Sequence, residues 1–206
     1  MVRLEAMAEP VTSRGRETKR RVVAAAAELM YVRGVSATSL DDVLAASGTG
    51  KSQFYHYFRS REELIEEVLS HQLGEVLTEQ RRFAIDSWQG IRAWMEGLVV
   101  VHETKLDFRG CPLGSIVGEI LEEGSRLRSR ASEAFVEWES SLAAGLGKMQ
   151  ESDLLRRDAD AAAIAEAMIS TLQGGYLLAA TKRDSRPMRT AVGLALDHLR
   201  SFRSDP

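Results

Sequence analysis

The run Thr38 to Phe58, TSLDDVLAASGTGKSQFYHYF, constrains this chain more than any other segment. Thr38 and Ser39 are helix-capping residues, and Asp41 and Asp42 stand where a capping partner reaches back. Leu40, Val43 and Leu44 then repeat at i, i+3 and i+4, which gives one narrow apolar face. Gly48 ends that helix, because the left-handed backbone of a helix terminus suits glycine best. After Thr49 and Gly50 a second helix resumes, with Phe54 and Phe58 inward and Lys51, Ser52, Gln53, Tyr55 and His56 outward. Two helices joined by a tight glycine turn form a helix-turn-helix, whose second helix enters the major groove of double-stranded DNA.

Gly50-Lys51-Ser52 also matches the tail of a phosphate-binding loop, G-x-x-x-x-G-K-[ST]. Ala45 stands where the first glycine belongs, and a capped helix precedes the turn where that motif needs a strand. Lys51 suits a DNA phosphate or guanine contact instead.

The flanks agree with this reading. From Glu17 to Arg33, Val22, Ala26, Leu29 and Met30 share a face that stops at Gly34, as a scaffold helix would. Ser60-Arg61-Glu62-Glu63 has capping-box spacing and opens a long helix through Leu64, Val68, Leu69, Leu73 and Leu77. Residues 1–61 hold ten Lys/Arg against six Asp/Glu, while the remainder is acidic by seven charges, so the basic surface is confined to the N-terminal part. An N-terminal arm of residues 1–15 lacks periodicity, and its arginines suit the minor groove.

These residues together resemble the TetR family of bacterial transcriptional regulators. The likeness rests on T-S-L-x-x-V-x-x-A-S-G-x-x-K-x-x-F-Y-x-Y-F followed by S-R-E-E-L, and it is specific from about Arg16 to Val76. It implies an all-α protein: a three-helix DNA-binding head over residues 16–62 and a larger helical ligand-binding and dimerisation body over 63–206. By similarity Thr38, Ser39, Thr49, Gly50, Lys51, Gln53, Tyr55 and His56 fall on DNA-contacting positions, with Arg61 near a phosphate. The implied partners are a palindromic operator, a small apolar or aromatic effector, and a second copy of the chain. The implied function is a repressor released by that effector.

The body carries helical signals only. Trp88, Ile91, Trp94, Met95, Leu98 and Val99 recur at threes and fours, as do Ile116, Val117, Ile120 and Leu121, and Phe135, Trp138 and Leu142 mark another helix. A helix is expected from Asp158 to about Thr181, with Gly174-Gly175 inside it, and Pro187 starts the last one. Their apolar stripes make residues 158–203 the expected homodimer surface, although packing on the chain's own body fits the same stripes. Trp88, Trp94, His102, Cys111, Trp138, Met168 and Gln173 are the candidate effector-pocket residues, and core packing fits their spacing too.

Cys111 is the one cysteine, which excludes an internal disulfide and a cysteine-rich metal site. Pro112 places it at a helix cap near Arg109, where a lowered pKa would make it an electrophile or redox sensor; that is the alternative function. His56, His71, His102 and His198 include no i, i+4 metal pair and no nucleophile elbow is present, so no enzyme, metal or cofactor is expected. No segment approaches 18 consecutive apolar residues and no secretion signal is seen, so no membrane partner and a cytoplasmic location are expected.

Overall fold

The computed structural model describes residues 12–105 and 108–204. Among the described residues all regular elements are helices: α1 Ser13–Arg33, α2 Leu40–Ser47, α3 Lys51–Tyr57, α4 Arg61–Gln80, α5 Trp88–Lys105, α6 Pro112–Ile120, α7 Ser125–Glu151, α8 Ala161–Lys182 and α9 Arg186–Arg200. The one extended pairing described is an isolated antiparallel bridge between Leu155 and Arg203.

The helices begin and end where local chemistry places them. Thr12 caps α1, its hydroxyl accepting from the Gly15 N–H at 3.1 Å, so the helix starts inside the expected 1–15 arm. Residues 1–11 of that arm lie outside the described residues. Ser39 and Asp42 form a reciprocal capping box at α2, with bonds of 3.1 and 3.0 Å, and Gly48 ends that helix in a left-handed conformation. Asp160 caps α8 through the Ala162 and Ala163 amides, both at 3.0 Å.

The chain divides into two compact units, and one division falls within α4. The first runs to Gln72 and takes in Ser115–Ala131; the second holds Leu73–Gly114 and the chain from Ser132 onward. The first half of α4 belongs with the head because its inward residues Leu64, Ile65, Val68 and Leu69 are buried and Glu67 bonds Lys19 of α1 at 2.8 Å. Arg126, early in α7, pairs with Glu66 in the same unit. Val22, Ala26, Met30, Val43, Phe54 and Phe58 complete that core.

In the second unit, Gln80 ends α4 fully buried, which its amide tolerates because both ends are bonded. Its Oε1 accepts from the Trp138 indole at 2.9 Å, and its Nε2 donates to Ser141 Oγ at 3.1 Å. Helices α8 and α9 pack closely at Gly175, where a Cβ would lie 2.6 Å from Ala191 Cβ and 3.1 Å from Met188 Sδ. No helix among the described residues is long and apolar enough to cross a membrane.

Gly175→Ala should therefore destabilise the protein by about 1–3 kcal/mol in urea unfolding, since overpacking forces backbone to shift. Gly147→Ala, in α7 with nothing within 4 Å of its would-be Cβ, should be neutral or stabilise by up to about 1 kcal/mol through helix propensity. Equal responses would show that the α8–α9 approach is not the constraint.

Candidate nucleic-acid interface

Helix α3 has seven residues, too few to be stable alone, so its orientation comes from the side chains it buries. Phe54 and Phe58 are essentially inaccessible and stack at 5.0 Å between ring centroids, and Tyr57 is buried beside them. With three sides of its apolar stripe fixed, the opposite face is presented to solvent. Lys51, Ser52, Gln53, Tyr55 and His56 are all exposed, with half of Tyr55 accessible. The Tyr55 ring stands edge-on to Phe54 at 5.3 Å, and His56 stands edge-on to Tyr57 at 5.2 Å, so both project from an aromatic base. Gly50 caps α3 and is exposed, and Ser39 is exposed at the start of α2 with its hydroxyl engaged by Asp42.

Three of the expected contact side chains are committed to the fold instead. Thr38 is 1% exposed, and its hydroxyl donates to the Gly34 carbonyl at 2.8 Å. Thr49 is buried, with Oγ1 3.5 Å from the Ser47 carbonyl. The Arg61 guanidinium donates to the Thr38 carbonyl at 2.6 Å and to the Val35 carbonyl, which pins the α1–α2 connection to the start of α4. Other basic residues of this unit are spent the same way: Arg21 Nε holds the Ser47 carbonyl at 2.7 Å, and Lys19 is buried against Glu67. Arg59, exposed just after α3, was not among the sequence candidates; its position one turn from the exposed face is the signal that points to it.

Asp42 keeps its carboxyl below the ordinary carboxylate pKa, chiefly because the Ser39 hydroxyl and amide bond the charged form.

The effector candidates differ in their surroundings. Trp94, Trp138 and Met168 are buried core residues, and Trp138 is bonded to Gln80. None of these three lines a cavity described here; Trp88 lines one with Gln89, Arg92 and the end of α9. The side chain of His102 lies outside the described residues. Cys111 and Gln173 do meet, beside Gly114. Cys111 is 3% exposed, and burial pushes its thiol up; the Gly114 amide, the Gln173 side chain and the Leu113 amide pull the other way and do not prevail. The expected low-pKa, reactive thiol is thus corrected: desolvation disfavours the thiolate more than the cap favours it.

Comparison with known proteins agrees with this geometry. The family model for bacterial regulatory proteins of the tetR family matches residues 22–68, and the C-terminal domain of LmrA/YxaF-like transcriptional regulators matches residues 87–193. The chain belongs to the TetR family. An uncharacterized HTH-type transcriptional regulator of Mycobacterium tuberculosis is 32% identical over 180 residues, covering 82% of this chain and 88% of that one. The HTH-type transcriptional repressor DhaR of Mycobacterium sp. (strain GP1) is 24% identical, covering 82% of this chain and 86% of that one. A TetR-family regulator from Cytophaga hutchinsonii superposes with a TM-score of 0.79 at 20% identity, covering 96% of this chain and 100% of that one, which is a likeness of fold. This TetR-family member is accordingly a helix-turn-helix transcriptional regulator and not an enzyme.

Arg61→Met should lower the stability of the DNA-free protein by about 1.5–3 kcal/mol in urea unfolding, the range for bonds to a charged group. A phosphate-contacting arginine would lose operator affinity with stability intact. For Cys111, alkylation by iodoacetamide at neutral pH should be much slower in the folded protein than in urea; equal rates would restore the sensor reading.

Proposed function

We propose that this protein is a ligand-gated repressor that binds a palindromic operator as a homodimer. The exposed face of α3 carries the reading: Lys51, Gln53, Tyr55 and His56 project from a helix locked by Phe54, Tyr57 and Phe58. Lys51 and His56 supply charge or donors for phosphates, Gln53 can bond base edges bidentately, and Tyr55 combines a ring face with a hydroxyl. Gly50 lets the backbone approach closely, Ser39 adds a contact at the start of α2, and Arg59 adds a phosphate partner. Thr38, Thr49 and Arg61 hold these groups in place.

The dimer is supported by α8 and α9, which leave Leu177, Leu178 and Leu194 exposed at 67%, 47% and 61%. Leu178, Leu194, Gly174, Pro187, Thr190 and Ala191 line one groove, a surface that a second copy of the same helices would cover. Two heads related by a twofold axis suit half-sites about 34 Å apart. An effector bound in the body would favour one of two arrangements, and α4, one continuous helix from Arg61 to Gln80, is the element that carries the change toward α3. The repressor sense is supported by the relative named as one.

Operator selection from random DNA should return a palindrome, and the protein should sediment near twice 22.8 kDa. Lys51→Ala should weaken binding by about tenfold or more and reduce the salt slope by about 1, while Tyr55→Phe tests the hydroxyl alone. Salt-dependent binding without a protected palindrome, or a monomer at micromolar concentration, would overturn this reading; a compound screen on the selected operator tests the gating.

A further inference from the structure

One cavity in the second unit differs in kind from an apolar effector pocket. It has a volume of about 290 Å³ and is lined by Trp88, Gln89 and Arg92 of α5 with Leu196, Arg200 and Arg203 from α9 and the segment after it. Three arginines therefore line one small space with no carboxylate in its lining, in a part of the chain that is acidic by composition. Arg92 has a 4.0 Å contact with Glu96 and Arg200 a 2.7 Å pair with Asp197, and both carboxylates are well exposed, so water screens these pairs. Arg203 has no carboxylate partner among the described residues; it lies over the Trp88 ring, 5.7 Å from the centroid. The Trp88 indole N–H is buried and has no acceptor.

The backbone that carries Arg203 is held there, and the three arginine side chains are solvent-exposed. Arg203 sits on the bridge to Leu155, and its neighbours are pinned by the Arg156 amide donating to the Phe202 carbonyl at 2.9 Å and the Ser204 amide to the Leu154 carbonyl at 3.3 Å. A buried donor without an acceptor and like charges set side by side are both unfavourable, and a single oxyanion relieves both. Guanidinium forks match phosphate and carboxylate oxygens, and three of them match the three outer oxygens of a phosphoryl group.

We propose that this cavity is an anion site that takes the phosphoryl group of a small phosphate monoester or free phosphate, held by Arg92, Arg200, Arg203 and the Trp88 indole N–H. Its ligand class differs from the apolar effector of the proposed function. It also stays open in the proposed dimer: at about 100° per residue, Leu196 and Arg200 lie about 200° and 240° around α9 from Leu194, on the other flank of the helix. Binding there would join the start of α5 to the end of α9, one end of the second unit's α5–α9 packing.

The test is titration of the full-length protein with inorganic phosphate and, separately, phenyl phosphate, against chloride at constant ionic strength. The readout is the indole N–H signals of the three tryptophans by NMR. The Trp88 signal, assigned by its loss in Trp88→Phe, should move saturably, while that of Trp138, bonded to Gln80, should stay. Arg203→Gln and Arg200→Gln should each weaken binding by about tenfold, and Arg157→Gln, exposed and paired with Asp153, should leave it unchanged. Tighter binding of phenyl phosphate identifies an ester as the ligand class, and tighter inorganic phosphate identifies the free ion. A Trp88 signal that does not move, or equal losses in Arg157→Gln and Arg203→Gln, would overturn the proposal. Operator selection is read independently, so either idea can fail alone.

Discussion

The stacking of Phe54 on Phe58, with Tyr57 buried beside them, is the interaction on which the rest of the head depends. A seven-residue helix has no stability of its own, so α3 exists because these rings are buried in the core of the head. That burial determines which side chains remain outside. Shifting the stripe by one residue would turn Tyr55 inward in one direction, or Gln53 and His56 in the other, and either would break up the exposed face. Arg61 reinforces the arrangement from the C-terminal side by tying the carbonyls of Val35 and Thr38, which frame the start of α2.

Charge in this head is used twice, once inside and once outside. The surplus of basic residues up to Arg61 suggests a broadly positive surface, yet Lys19, Arg21 and Arg61 are consumed by Glu67 and by backbone carbonyls. Lys51 at the start of α3 and Arg59 at its end are exposed. Buried and bonded basic residues thus hold the fold of the head, while Lys51 and Arg59 place exposed charge at the two ends of α3.

What could be read from sequence was what is local. Ser39 with Asp42, Gly48 after α2, and Phe54 four residues before Phe58 are fixed by contacts within one or two turns, and each was legible. Thr38, Thr49 and Arg61 were not, because the two threonines are buried by the assembled head and the carbonyl partners of Arg61 belong to the segment before α2. Cys111 illustrates the same limit over a longer reach: its local setting at a helix cap favours the thiolate, but Gln173 of α8 and the surrounding core bury it, and burial outweighs the cap. Aromatic stripes in the body were ambiguous for a related reason, since Trp94 and Trp138 at helical spacing fill a core as readily as they line a pocket, and only the Gln80 partner separates the cases.

The turn after α1 is held by a carboxylate from α6. Helix α6 begins at Pro112, beside the Cys111–Gly114–Gln173 cluster of the second unit, and runs nine residues to Ile120. Near its other end Glu119 accepts from the Ser36 amide at 3.2 Å and lies 3.0 Å from where a Cβ on Gly34 would be. Gly34 has φ of +97°, so both its backbone and its neighbour exclude a side chain, and the turn after α1 is shaped to receive that carboxylate. Because the Gly34 carbonyl also accepts from Thr38, the carboxylate on α6 and the cap of α2 share one turn.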